Sequence, residues 1–519
     1  MIRVRQVKMH IDSNNLLNKI ASKLNVKENN IKNYKIIKES IDARDKNNLF
    51  YIYEVDVELS DESKIKLNND ILKVEEKEYK INIDGTSKLN NRPIIVGSGP
   101  AGLFCAYYLS KLGYKPIVIE RGEDVDSRTK KIEEFWKNNK LDINSNVQFG
   151  EGGAGTFSDG KLNTLVKDKE GRKNEVLKIF VENGAPKEIL YKNKPHIGTD
   201  ILRTVIKNMR NKIIEMGGEY RFNTTLTDIN IENNKIKSII VNNNEEINTD
   251  ILVLAIGHSA RDTFKMLYDK KIKMSPKPFA IGIRIMHPQE MINLNQYGTN
   301  KLGSADYKLT YKSSNNRGVY SFCMCPGGYV VNASSEEGRL AINGMSYNDR
   351  NSGVANSAIV VTISPDDYGD NPLDGIEFQR ELEEKTYNIG NGNIPVQLYK
   401  DYKDNKISDK FIFDPCIKGN YSFSNLNDIF PDYINESLKE AIENFNHIIK
   451  GFNRDDAVMA AIESRTSSPV RIERNELFES SVKGIYPIGE GAGYAGGITT
   501  SAIDGLKVVE MIASKFDKL

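Results

Sequence analysis

One stretch near residue 95 constrains the fold more than any other part of the chain: RPIIVGSGPAGLFCAYYLSKLGYKPIVIERG, residues 92–122. A short apolar run precedes the glycines, apolar positions at helical spacing follow them, and a second apolar run ends at Glu120. This order predicts a strand, a glycine turn, a helix and a second strand. In such a unit Gly97 allows the tight turn, Gly99 lets backbone approach a pyrophosphate, and Gly102 lets the helix pack closely on the strand.

The same stretch carries the polar groups that a dinucleotide needs. The N-terminus of the helix offers free N–H groups and the positive end of its dipole to phosphates. Glu120 follows Gly102 by 18 residues, at the tip of the second strand, where its carboxylate can accept hydrogen bonds from ribose hydroxyls. The stretch therefore predicts a nucleotide-binding unit; the alternative is a glycine-rich turn in another kind of α/β protein.

Composition narrows the class of protein. The 519 residues suffice for two or three domains, and a net charge of +1 provides no overall field to attract nucleic acid or an anionic membrane. No leader-like or membrane-spanning apolar run occurs, so we expect a cytoplasmic protein. The four cysteines, Cys105, Cys323, Cys325 and Cys416, form neither a disulfide framework nor a paired CxxC motif, and no metal site is expected.

Residues 1–88 read as a separate module. Strand patterns at Ile2–Ile11, Tyr34–Glu39 and Phe50–Leu59, with a helix pattern at Leu16–Leu24, predict a ferredoxin-like βαββ unit. Its role stays open between a packed appendage and a docking element for a protein or nucleic-acid partner.

Residues 89–262 continue the βα pattern and are predicted to form the first part of the nucleotide-binding domain. Within them QFGEGGAGTFSDGKL, residues 148–162, contains five glycines among small polar residues. We interpret it as a loop around a pyrophosphate or a flavin edge, with Thr156, Ser158 and Lys161 as donors; the alternative is a plain surface loop. His258, after the apolar run 250–257, is either a structural residue or an acid or base.

From residue 263 to 455 alternating apolar runs predict an inserted, mainly antiparallel substrate domain. It includes SFCMCPGGYVV, residues 321–331, where an extended strand would place Cys323 and Cys325 on the same side. Three hypotheses remain for this pair: packed thiols, a thiolate that faces a flavin, and a redox-active disulfide.

The nucleotide-binding domain is expected to resume at residues 456–519. Arg465 and Arg471 flank three hydroxyl side chains, an arrangement that suits either a bound carboxylate or phosphate or structural ion pairing. GIYPIGEGAGYAGGITT then predicts a strand, a turn with Glu490, and a helix that begins near Ile498. Glu490 could hold ribitol hydroxyls, and the helix start could face the N1/O2 edge of a flavin, where reduction adds negative charge.

These motifs together carry a resemblance. GSGPAG…ER, the AIG turn at residues 255–257 and the terminal IGEGAGYAGGI resemble the FAD domain of the glutathione-reductase-type superfamily. The longer motifs GEGGAGTFSDGKL, AIGHSARDTF, FCMCPGGYVV, NGMSYNDRNS and ESRTSSPVR are similar to a bacterial family of uncharacterised FAD-dependent dehydrogenases, nearly end to end.

The resemblance implies an α/β fold with a Rossmann-like FAD domain, an inserted antiparallel substrate domain and the N-terminal ferredoxin-like module. It implies FAD as the cofactor, with contacts from Gly97, Gly99, Pro100, Ala101, Gly102, Glu120, Arg121, Arg128, Gly152, Gly153, Ala154, Gly155, Thr156, Ser158, Lys161, Leu226, Ala255, Gly257, Gly489, Glu490, Gly496, Gly497, Ile498 and Thr499.

The function predicted on this basis is hydride transfer between FAD and a small, anionic substrate. Its candidate catalytic residues are Cys325, Lys161, Arg465 and Arg471. No separate NAD(P)H-binding domain is predicted downstream, so NAD(P)H, if it is used, would visit the substrate face transiently. Two other hypotheses stay open: a flavoenzyme that modifies a macromolecule such as tRNA, and a flavin-binding redox sensor or scaffold. The oligomeric state is left open.

Overall fold

The N-terminal module forms an antiparallel sheet covered by one helix. The structure, a computed structural model, describes residues 1–75, 78–164 and 166–519. The sheet order is β2-β3-β1-β4, and residues 60–70 connect β3 to β4 without a helix. The elements are β1 (Ile2–His10), α1 (Leu16–Leu24), β2 (Ile31–Asp42), β3 (Phe50–Leu59) and β4 (Ile71–Lys73).

The next part of the chain builds the parallel sheet predicted around residue 95. Its strands are short because each supplies only one run of buried apolar residues. The elements are β5 (Ile94–Val96), α2 (Pro100–Lys111), β6 (Ile117–Ile119), α3 (Val125–Asn138), α4 (Arg172–Glu182), α5 (Thr199–Glu215), β7 (Glu219–Arg221), β8 (Leu226–Glu232), β9 (Lys235–Val241), β10 (Glu245–Asn248), β11 (Leu252–Leu254) and α6 (Arg261–Asp269).

One local expectation changes in this part. GGEYRFNTTLTDI reads as a single strand, but the chain turns at Asn223, whose φ is 52°. The turn places β7 in the parallel sheet and β8 in a separate antiparallel sheet of order β10-β9-β8.

The inserted domain is built on a seven-stranded sheet of order β14-β15-β18-β13-β22-β19-β21, antiparallel except for the β19-β21 pair. The sheet extends to β22, which lies beyond the predicted boundary at residue 455. The elements are β12 (Met274–Pro276), β13 (Phe279–Pro288), α7 (Gln289–Tyr297), β14 (Thr310–Lys312), β15 (Gly318–Cys325), β16 (Tyr329–Asn332), β17 (Ile342–Met345), β18 (Val354–Ile363), α8 (Pro365–Tyr368), α9 (Asp374–Ile389), β19 (Ile394–Leu398), α10 (Tyr399–Asp404), β20 (Ile417–Lys418), β21 (Tyr421–Phe423), α11 (Asp432–Phe445) and β22 (Val458–Glu463).

The last part of the chain returns to the parallel sheet through β23 (Val470–Ile472), β24 (Ile485–Pro487) and α12 (Ile498–Lys515). Strand β24 pairs in parallel with β11, which completes the order β24-β11-β5-β6-β7. Helix α12 packs directly on α2: a Cβ at Gly505 would lie 2.4 Å from the carbonyl oxygen of Ala101. The two glycine turns, far apart in sequence, therefore meet at one edge of the sheet.

Candidate functional site

A single long cavity of about 670 Å³ runs along the carboxyl edge of the parallel sheet and on toward the inserted domain. This volume lies within the roughly 300–1,000 Å³ that ligand pockets occupy. Glu120, Arg121 and Leu226 line one end, and the glycine turn lines the middle. The start of α12 and the wall of the inserted sheet line the other end. Open α/β sheets bind ligands at this edge.

The glycine turn has the geometry expected of a phosphate site. Gly97 has a φ of 97°, and a Cβ there would lie 2.4 Å from the carbonyl oxygen of Ala255. A Cβ at Gly102 would lie 2.0 Å from the carbonyl oxygen of Gly97, so only glycine lets α2 approach the strand. Gly99 caps α2 without a side-chain hydrogen bond. The first N–H groups of α2 are thus left to a ligand.

Glu120 has a second role that the sequence did not reveal. One carboxylate oxygen accepts hydrogen bonds from the backbone N–H and the hydroxyl of Ser98, both at 2.9 Å. The other accepts from the N–H groups of Gly122 and Gly150, at 3.1 and 3.0 Å. The carboxylate therefore joins the glycine turn to the loop 148–162 and also borders the cavity.

The loop 148–162 folds over the glycine turn. A Cβ at Gly153 would lie 2.9 Å from the Cα atom of Gly99, and Gly153 has a φ of 64°. Arg128 is fully buried behind this loop and donates to the carbonyl oxygens of five residues. These are Asn146, Val147, Gly150, Glu151 and Gly153. Arg128 therefore does not line the cavity; it shapes the loop that does.

The start of α12 forms the far wall of the same groove. Gly496, Gly497 and Ile498 line the cavity, and Gly497 caps α12 without a side-chain hydrogen bond. Glu490 lines the cavity beside them, and burial raises its pKa to about 7, although the nearby charge of Lys277 opposes that rise.

Most residues that sequence reasoning proposed for the cofactor line this one cavity. They are Gly97, Gly99, Pro100, Ala101, Glu120, Arg121, Gly153, Ala154, Gly155, Ser158, Lys161, Leu226, Ala255, Gly257, Gly489, Glu490, Gly496, Gly497 and Ile498.

Several other proposed residues lie behind the wall. Thr156 is buried and hydrogen-bonds the carbonyl oxygen of Glu151, and the hydroxyl of Thr499 donates to the carbonyl oxygen of Leu162 at 2.9 Å. A Cβ at Gly152 would meet the Thr156 hydroxyl and Ile206, so this glycine serves packing. Gly102, as described, serves the approach of α2.

Two of the candidate catalytic residues, Arg471 and Cys325, do not line the cavity. Arg471 is outside the cavity lining, and its guanidinium lies over the ring of Tyr494, 5.2 Å from the centroid. Cys325 is fully buried. Cys323 is the exposed member of the pair and lines the cavity, because β15 bulges against β18 and Cys323 has a φ of 39°. The expectation that both thiols face one side was therefore wrong.

Arg465 lines the cavity, but its guanidinium is already engaged. It donates to both carboxylate oxygens of Glu383, at 3.0 and 3.1 Å, and Arg261 donates to the same two oxygens at 2.9 and 2.8 Å. All three side chains are buried. The ion-pairing alternative thus describes Arg465, and the cluster joins α6 to α9. Burial beside these two cations lowers the pKa of His258 to about 3, which keeps the ring neutral.

The end of the cavity next to the inserted domain holds a group of polar residues that sequence reasoning missed. Lys194, Asp306, Lys308, Asn343 and Glu463 line the cavity with Lys161 and Cys323. Glu463 stands only two positions before Arg465 in a motif already singled out. The other residues carry no local signal, because they come from distant parts of the sequence: Lys194 precedes α5, Asp306 and Lys308 precede β14, and Asn343 lies on β17.

The groups around the cavity fit FAD. Two uncapped helix starts suit the pyrophosphate and the electron-rich edge of the flavin, since both carry negative charge. Two carboxylates, Glu120 and Glu490, stand where they can accept hydrogen bonds from hydroxyl groups. The close contact between Gly153 and Gly99 leaves a backbone cradle that a side chain would fill.

Comparisons with known proteins decide the family. A model described as the C-terminal domain of FAD-dependent proteins matches residues 278–466, and an NAD(P)-binding Rossmann-like model matches residues 95–150. A domain of unknown function matches residues 1–58. An uncharacterised protein of Clostridium beijerinckii is 50% identical over 531 residues, which cover 99% of each chain. The chain belongs to this bacterial family of FAD-dependent proteins. The FAD cofactor and the Rossmann-like fold predicted from the sequence are confirmed, and the FAD-dependent oxidoreductase class agrees with these matches.

Solved structures show weaker similarity. An L-proline dehydrogenase from P. horikoshii is 16% identical, with a TM-score of 0.36 and coverage of 82% of this chain and 94% of that one. A glycine oxidase from Bacillus cereus is 12% identical, with a TM-score of 0.34 and coverage of 83% and 99%.

Within residues 1–75, 78–164 and 166–519, no helix is long and apolar enough to cross a membrane. No group of three or more His, Cys, Asp and Glu side chains in the same ranges could hold a metal ion.

Proposed function

We propose that this family member transfers a hydride between FAD and a small anionic substrate that binds where the cavity enters the inserted domain. Bound FAD supplies the two-electron chemistry, and the protein supplies position, charge and exclusion of water. The single observation that carries the proposal is the continuity of the cavity: it passes the start of α12 and ends against Lys161, Lys194 and Lys308.

The charges at that end favour an anion. Lys161 donates to the carbonyl oxygen of Met324, which fixes its ammonium group at the wall. Lys194 pairs with Asp306 at 2.5 Å. Lys308 is exposed, and no ion pair to it occurs among the residues that the structure describes. Glu463 and Asp159, the other acids of this region, are paired with Arg284 and Arg350. The lysines thus leave a net positive charge for a ligand.

This assignment changes the residues proposed for the anion. Arg465 is held by Glu383 and Arg471 lies outside the cavity, so Lys161 keeps the anchoring role and Lys194 and Lys308 join it. Arg465 instead holds the wall in place.

The test is anaerobic reduction of the FAD-loaded protein, followed by visible absorbance. The probes are glycolate, malate, glycine and glutamate, with NADH and NADPH in parallel. We expect at least one organic anion to bleach the flavin, and Lys161→Met to raise the concentration needed for half-maximal rate about tenfold or more. Bleaching by dithionite alone would contradict the proposal.

A further inference from the structure

Glu463 is a carboxylate at the substrate end of the cavity that a buried arginine holds by a single oxygen. Arg284 donates from Nε to Oε2 of Glu463 at 2.7 Å, and both side chains are almost completely buried. Among the described residues no hydrogen bond reaches Oε1. This atom is open to the cavity, which Glu463 borders. The free oxygen is therefore left to a ligand.

Arg284 fixes the whole of this wall. Its Nη1 donates to the carbonyl oxygen of Cys323 at 3.2 Å and to Oδ1 of Asn356 at 2.8 Å, and its Nη2 donates to Oδ1 of Asn343 at 3.0 Å. A Cβ at Gly344 would lie 2.2 Å from Nη1, so the backbone of β17 encloses the guanidinium. Because Arg284 does not itself line the cavity, it is a positioning residue.

The charged and titratable groups that face Glu463 come from two neighbouring strands. They are Arg284 on β13 and Cys323 on β15. Asn343 on β17 is uncharged. Burial raises the pKa of Glu463, and the charge of Arg284 opposes that rise only in part. A carboxyl group whose pKa is raised in this way suits proton exchange with a substrate.

We infer that Glu463 accepts the substrate's proton through Oε1 while the substrate's anionic group is held by Lys161. This inference rests on the proposed function and names its substrate class: a small carboxylate or phosphate ester with a hydroxyl or amino group on the carbon that is oxidised. The C–H bond of that carbon breaks with both electrons going to FAD. The O–H or N–H bond breaks with its proton going to Oε1, and a carbonyl or imine forms.

The first readout is the rate of flavin reduction by glycolate and glycine as a function of pH. We expect the rate of the native protein to rise with pH as Glu463 loses its proton. Glu463→Gln should lower the rate about 100-fold or more, as is typical for the loss of an acid–base group, and should remove the rise of the rate with pH. Glu463→Asp keeps the carboxylate and should retain that rise. Glu440→Gln, on the surface of α11, is the matched control.

The second readout needs no turnover. Oxalate resembles glycolate but places a second carboxylate toward Glu463, so its binding should take up about one proton, measured by calorimetry in buffers of different ionisation enthalpy. Above the pKa of Glu463 the Kd should rise about tenfold for each pH unit. Glu463→Gln should abolish both effects, and Glu463→Asp should keep the proton uptake if the glutamine variant is too unstable to measure.

The outcomes separate the two proposals. If a probe reduces the native protein and Glu463→Gln reacts at the same rate, the inference is overturned and the proposed function stands. If no probe reduces the native protein, the proposed function fails. Oxalate then still decides about Glu463: loss of proton uptake in Glu463→Gln supports it as the group that faces the anion, and equal uptake overturns it.

Discussion

The buried arginine cluster offers the sharpest stability prediction. Glu383 accepts hydrogen bonds from Arg261 and Arg465, and the hydroxyl of Ser464 donates to it at 2.6 Å. In Glu383→Gln, Arg261 keeps its ion pair with Glu336, but Arg465 is left with neutral hydrogen-bond partners, among them the hydroxyls of Ser259 and Ser335. One buried guanidinium is then left without a countercharge, which costs about 3–5 kcal/mol of unfolding free energy.

The assay is urea unfolding followed by fluorescence of Trp136, the only tryptophan in the sequence. Its indole N–H donates to the carbonyl oxygen of Asn332 at 2.9 Å, so the signal reports the contact between α3 and the inserted domain. Glu381→Gln, on the exposed side of the same helix, is the matched control and should change the free energy by less than about 0.5 kcal/mol.

The stability difference between the native protein and Glu383→Gln depends on pH, because the pKa of Glu383 is lowered in the folded state. Burial alone would raise the pKa of Glu383, but Arg261 and Arg465 outweigh it and hold the pKa far below its usual range. The stability that Glu383 contributes is therefore complete above its unfolded pKa of about 4.3 and is lost only as the pH falls toward the folded value. A loss of less than about 1 kcal/mol in Glu383→Gln at pH 7 would refute the reasoning.

Two further predictions concern the cavity. Iodoacetamide should modify Cys323, which is exposed, and leave buried Cys325 intact in the native fold; equal labelling in peptide mass spectra would contradict the bulge in β15. Glu490→Gln should stabilise the FAD-free protein more at pH 8 than at pH 5. A carboxyl with a folded pKa of about 7 destabilises the fold progressively as the pH rises from about 4.3 to 7. Thermal unfolding at the two pH values would show the difference, and equal midpoint shifts would count against a buried carboxyl.

The parallel sheet and the cofactor groove could be predicted because their signals are local. Short apolar runs and glycines at Gly97, Gly99 and Gly102 impose a strand, a turn and a helix regardless of what packs around them. The inserted domain was also recognisable, since the alternation in β13 indicates a strand.

Pairing across the fold could not be predicted from one sequence. Glu463 pairs with Arg284, 179 positions away, and Arg465 pairs with Glu383, 82 positions away. The motif around Arg465 left both substrate binding and ion pairing open, because the carboxylate that takes its charge lies on another element. The separation of Cys323 from Cys325 likewise depends on one bulge, which shifts the register of β15 against β18.

The central claim is that FAD lies in the groove where the loop 148–162 crosses the glycine turn. Titration of FAD-depleted protein with FAD, followed by visible absorbance, tests it most directly when native protein is compared with Gly153→Ala and Gly338→Ala. Both glycines have a similar positive φ, but a Cβ at Gly153 would lie 2.9 Å from the Cα atom of Gly99, whereas a Cβ at Gly338 would have nothing within 4 Å. The account predicts one FAD for each native chain, unchanged affinity in Gly338→Ala, and affinity lower by about tenfold or more in Gly153→Ala. Equal FAD affinity in all three proteins would contradict it.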